Sequence, residues 1–176
     1  MAHSPLATYL TDHLAGATAG AALARRVARN GDGARAGQTL AQIASDVEAD
    51  REALRRLLGE LGIRPSITKN AGAWISERAA RLKPNGRLRG DPPMQRLHEL
   101  ETLSLGIAGK LALWQALRVS PEAATAAGID LDELERRAGE QREQVERERI
   151  AAARTALFPT PGDILRRERA APRDAG

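Results

Sequence analysis

The stretch from Leu40 to Leu61, LAQIASDVEADREALRRLLGEL, decides the fold. Leu40, Ile43, Val47, Asp50, Leu54, Leu57, Leu58 and Leu61 recur at intervals of three and four, which sets them on one face of a helix running from about Arg35 to Leu61. Gly62 ends the pattern and Pro65 prevents its resumption. One position breaks the stripe. Asp50 stands where a leucine is expected, so this helix carries a carboxylate toward the core.

Three further segments repeat the design. Ser4-Pro5 supplies a hydroxyl at N-cap and proline at N1, and opens a helix to about Arg29 with Leu6, Leu10, His13, Leu14, Ala17, Gly20, Ala24 and Val27 on one side; Asn30-Gly31 stops it. Asp91-Pro92 announces a third, with Leu97, Leu100, Ser104, Ile107, Ala108, Leu111, Trp114 and Leu117 as its stripe and Glu101 and Lys110 at its border. Asp130 and Glu133 form a capping box for a fourth, which carries Leu131, Leu134, Ala138, Gln141, Val145, Glu148 and Ala152 to about Phe158. Its outer face is charged, with Glu133/Arg137 and Glu143/Arg147 at the supportive i,i+4 spacing.

Each stripe therefore contains an ionisable or amide side chain: His13, Asp50, Glu101 or Lys110, and Gln141 or Glu148. A helical bundle with a polar centre follows. Such a centre holds either a carboxylate-bridged metal or an ion-pair network, because an unpaired charge there is costly.

Composition supports an all-α chain. Tyr9, Trp74, Trp114 and Phe158 are the only aromatic residues, so Leu, Ala, Ile and Val must build the core, which suits close helix packing better than a β-sandwich. The absence of cysteine excludes disulfides and thiolate chemistry. No apolar run reaches the ~18 residues of a membrane span and the start lacks an export signal, so a cytoplasmic protein is expected.

Loop lengths set the expected topology. Helices one and two, joined by about five residues, are antiparallel neighbours. About thirty residues separate helices two and three. A connection of that length is expected to cross the whole bundle, with a short helix near Ala71 to Leu82 that packs Trp74. The result is an up-down-down-up four-helix bundle over residues 5–158, of the ferritin-like kind, with a crossover at 63–90 and a polar tail at 159–176. A plain up-down-up-down bundle carrying a basic lid is the alternative.

Charge is regional. The chain is +4 overall, yet the crossover carries Arg64, Lys69, Arg78, Arg81, Lys83, Arg87 and Arg89 against Glu77 alone, a balance of +6. The rest of the chain is therefore net acidic. The crossover is the expected docking surface for a protein partner, with nucleic acid or an anionic surface as an alternative that a single aromatic, Trp74, supports weakly.

The stretches Tyr9 to Ala17 (YLTDHLAGA), Arg81 to Gly86 (RLKPNG) and Leu100 to Lys110 (LETLSLGIAGK) resemble a family of uncharacterised bacterial ferritin-like proteins. The similarity extends over roughly Tyr9 to Phe158. It implies a ferritin-like bundle and no established activity.

A di-iron site of that fold needs Glu-x-x-His pairs, which place two ligands on one inward helical face. This sequence has none. The reversed pair His98 and Glu101 is the nearest substitute and the only candidate metal site. At ~1.5 Å per residue, the up-down-down-up order puts His13, Asp50, Lys110 and Gln141 near one level and His98, Glu101 and Glu148 well above it. The expectation is that Lys110 sits among Asp50, His13 and Gln141, its stem covered by Ile107 and Trp114, in place of a metal. The competing expectation has Lys110 at the rim and Asp50 paired with an arginine. No Ser/His/Asp set or phosphate loop stands out, so no cofactor is expected and an enzyme is the minority reading. Gly16 and Gly20, with Gly106 and Gly109, form small-residue grooves expected to serve packing within the bundle, or self-association.

Overall fold

The structure is a computed structural model that describes residues 4–30, 34–64 and 91–163. The described elements are all helical: α1 (Pro5–Arg29), α2 (Ala34–Glu60), α3 (Pro92–Leu117), α4 (Glu122–Ala126) and α5 (Leu131–Leu157). The four long helices have the limits that capping residues and hydrophobic periodicity predict, to within about a residue. No described helix is long and apolar enough to cross a membrane.

Local chemistry sets the boundaries. Ser4 Oγ accepts the Ala7 N–H at 3.4 Å to start α1, and Asp130 Oδ1 accepts the Glu133 N–H at 3.1 Å to start α5. Asp91 occupies the N-cap of α3 in an extended conformation without a side-chain cap hydrogen bond, and the proline behind it fixes the helical start. Gly62 closes α2 with φ 63°, which lets Ile63 N–H return to Leu58 O at 2.8 Å. Gly128 repeats the device after α4, with φ 64° and Ile129 N–H on Ala124 O at 2.9 Å. The α4 turn lies in a connection whose sequence has no helical periodicity long enough to announce it.

Two apolar clusters give the directions of the helices. In one, Leu10 and Leu14 of α1 meet Leu54 and Leu57 of α2, Leu113 and Trp114 of α3, and Leu131 and Leu134 of α5. In the other, Ala24 and Val27 of α1 meet Leu40 and Ile43 of α2, Leu100 and Leu103 of α3, and Ala138 and Val145 of α5. The start of α1 thus lies level with the ends of α2 and α3 and the start of α5. α1 and α5 run one way, α2 and α3 the other. His13 and His98 consequently lie toward opposite ends of the helices.

α1 packs most closely on α2 and α3 on α5, and α1 also lies along α3. At the α1–α3 contact, Arg96 donates to Val27 O at 2.7 Å, in the last turn of α1. Beside it, Glu99 is buried and takes Arg26 at 3.0 Å and Gln95 Nε2 at 3.2 Å. The segment from Pro65 to Gly90, with the expected short helix and Lys69, Arg78, Arg81, Lys83, Arg87 and Arg89, lies outside the described residues, as does the tail beyond Asp163. Arg64 is exposed just after α2.

Candidate functional site

Between the two apolar clusters lies a polar layer. On α2 the buried series Ile43, Val47, Leu54, Leu57 is interrupted by Asp50, which is 1 % exposed. On α3 the series Leu103, Ile107, Trp114, Leu117 is interrupted by Lys110, whose side chain is 12 % exposed. On α5 Gln141, 2 % exposed, lies between Ala138 and Val145. Three helices thus deliver a carboxylate, an amine and an amide to one level.

The hydrogen bonds join them. Lys110 Nζ donates to Asp50 Oδ2 and, at 2.5 Å, to Gln141 Oε1. Arg137 Nη2 donates to the other carboxylate oxygen of Asp50. Asp50 therefore has a cation on each oxygen, and the expected lysine and the competing arginine are both present. Glu133, one turn before Arg137, pairs instead with Arg136 at 2.7 Å, which leaves Arg137 for the interior. The i,i+4 spacing of Glu133 and Arg137 suggested a surface pair; tertiary access to a buried carboxylate is the stronger attraction, because charge-assisted bonds strengthen where water is excluded.

Ile107 and Trp114, one turn to either side of Lys110 on the same helix, are buried. Burial lowers the Lys110 pKa from its ordinary 10.5, and the Asp50 carboxylate opposes that shift. Arg137 also walls a cavity of about 360 Å³ between α2 and the start of α5, with Ala53, Arg56, Ile129 and Leu134 among its lining residues. One edge of the guanidinium thus reaches the buried carboxylate while the residue borders solvent.

Other sequence candidates make contacts of their own. His13 is half-buried, edge-on to Tyr9 with ring centroids 4.5 Å apart. His98 Nδ1 lies 3.4 Å from Glu101 Oε2, and Arg149 lies 3.7 Å from the other oxygen of Glu101. Glu148 is half-buried on α5. A metal at His98 and Glu101 would share its carboxylate with a guanidinium, and one at Asp50 would have to displace two cations. These residues do not fit a carboxylate-bridged metal centre. Among the described residues, no group of three or more His, Cys, Asp or Glu side chains could hold a metal ion.

Two participants escape the sequence patterns. Arg137 reads as one of many arginines on the charged face of α5, and only its neighbour Gln141, one turn on, hints at an inward direction. Glu99 lies off the α3 stripe and is buried because α1 crosses that side of the helix.

Comparison with known proteins gives no match: no family profile, curated protein or solved structure matches the chain.

Proposed function

We propose that this protein is a non-catalytic, ferritin-like four-helix bundle in which protein cations take the central place of a metal, and that its role is to present the basic segment 63–90 to a partner. The observation that carries this reading is the engagement of both Asp50 oxygens, by Lys110 and by Arg137. A bridging carboxylate must offer lone pairs to metal ions. Here those lone pairs face ammonium and guanidinium groups, which provide the charge compensation that a buried carboxylate requires.

The test is metal content by mass spectrometry on protein prepared without chelator or affinity tag, before and after incubation with iron, manganese and zinc. The expected result is substoichiometric metal in every case. Stoichiometric metal lost in His98→Ala or Glu101→Ala would replace this reading with a metal-dependent one.

The +6 balance of residues 63–90 favours a second reading for the partner, a polyanion such as nucleic acid. A protein partner is the first choice because the segment has one aromatic residue, whereas single-strand binding surfaces use several. Retention on DNA that falls steeply with salt would reverse that order.

A further inference from the structure

α3 turns a second seam outward. Thr102, Leu105, Gly109, Ala112 and Ala116 follow one another at spacings of three and four, and Val119 continues the series just past the end of the helix. This is the repeat by which one helix packs along another. Leu105 is 60 % and Val119 90 % exposed, and Ala112 and Ala116 are exposed between them. From Thr102 to Val119 the only charged residues are Lys110, which points inward to Asp50, and Arg118, which is held by Asp132 and Glu135. Solvated helices place charge on such a face, as α5 does with its Arg136/Glu133/Glu140 cluster.

Nothing within the described molecule uses this seam. A Cβ built at Gly109 or Gly106 meets no described atom within 4 Å, and the same holds at Gly16 and Gly20 on α1. Among the described residues, these glycines therefore serve no close helix packing inside the bundle. α1, which lies along α3, is also free of charged side chains from Leu14 to Ala24.

We propose that this seam is a self-association surface, on which α3 packs antiparallel against α3 of a second copy about a two-fold axis near Ala112. The size pattern of the seam favours a copy of itself over an unrelated partner. Leu105 and Val119 lie seven residues before and after Ala112, with small residues between. Antiparallel pairing sets Leu105 over the partner's Val119 and leaves glycine and alanine at the centre, where the two backbones approach. The contact is isologous, and the α3 seam itself sets no charged side chain against its copy.

Area sets its strength. The seam is about 26 Å long at ~1.5 Å per residue, and with α1 beside it the face is about 20 Å wide. A symmetric pair then covers on the order of 1,000 Å² in total, at the low edge of specific interfaces. A reversible dimer results, with an affinity that depends on core packing rather than area.

The test is sedimentation velocity on the full chain from micromolar to submillimolar concentration, with and without Ala112→Glu, beside thermal unfolding followed by circular dichroism. The expected result is a concentration-dependent shift from the 18.9 kDa monomer to a dimer, lost in Ala112→Glu with the helical signal and melting temperature unchanged. Ala112→Cys, the only thiol in a chain without cysteine, should give a disulfide-linked dimer on mild oxidation, while Arg136→Cys on α5 should not. A monomer at every concentration, or a dimer indifferent to Ala112→Glu, overturns the proposal. So does a monomer that Ala112→Glu destabilises, which would assign the seam to another part of the same chain.

Discussion

Lys110 of α3 donates to Asp50 of α2, sixty residues away in sequence, across a layer that separates two apolar clusters. Arg137 of α5 holds the other oxygen of the same carboxylate. Asp50 is thus the single acceptor on which three helices converge, and the two cations are not equivalent partners to lose.

The first prediction concerns that asymmetry. Lys110→Met removes one of two cations and leaves Asp50 paired with Arg137, so the expected loss is about 1–3 kcal/mol, below the ~3–5 kcal/mol typical of breaking a buried pair outright. Asp50→Asn leaves two cations facing a neutral amide and falls in the higher range. Asp50→Asn with Lys110→Met should cost less than the sum of the single changes, because the groups are in contact. Urea denaturation of the four proteins measures this, and strict additivity would show that Lys110 and Asp50 do not depend on each other.

The second concerns pH. Burial lowers the Lys110 pKa in the folded protein below the ordinary 10.5 of the unfolded chain. Between those two values the unfolded state binds more protons than the folded state, so stability from this group rises with pH in that window. Below the folded value the cost of burying the ammonium is fully present, and it is relieved as pH approaches 10.5. The stability difference between wild type and Lys110→Met should therefore move in favour of wild type as pH is raised from neutrality into the alkaline range. A flat difference would mean that the Asp50 carboxylate offsets the burial of Lys110 in full.

The third concerns the start of α5. Asp130 accepts the Glu133 N–H and precedes a helix that contributes to both apolar clusters. Asp130→Ala should cost about 1 kcal/mol, or ~2–4 °C in melting temperature for a chain of this size. Asp130→Ser should recover most of it, since a hydroxyl caps equally well. Failure of serine to do so would mean that the aspartate acts through its charge.

A fourth sets surface against interior. Arg118 joins the end of α3 to Asp132 and Glu135 at the start of α5, with its own side chain 49 % exposed and that of Asp132 80 % exposed. Its network is geometrically as complete as that around Asp50. Solvent screening limits it, so Arg118→Ala should cost under about 1 kcal/mol, and added salt should erase the difference. A loss as large as that of Asp50→Asn would show that burial does not decide the value of ion pairs in this protein.

The amino-acid sequence by itself determines the helices and the residues that interrupt them. Ser4, Gly62 and Asp130 mark boundaries through local hydrogen bonding and backbone conformation, which depend on neighbours within a few positions and are therefore legible in one dimension. The periodicity that places Asp50 and Gln141 on apolar faces, and Lys110 at the border of one, is equally local. Tertiary structure decides which of these groups meet. Arg137 and Glu99 are drawn into the interior by partners on other helices, and little within their own helices, beyond Gln141 one turn after Arg137, distinguishes them from solvated neighbours. The same holds for α3, whose outer seam is uncharged in the sequence and acquires meaning only once the fold leaves it exposed. Periodicity reports that a side chain faces something; the charge, space and water it meets there are properties of several helices at once.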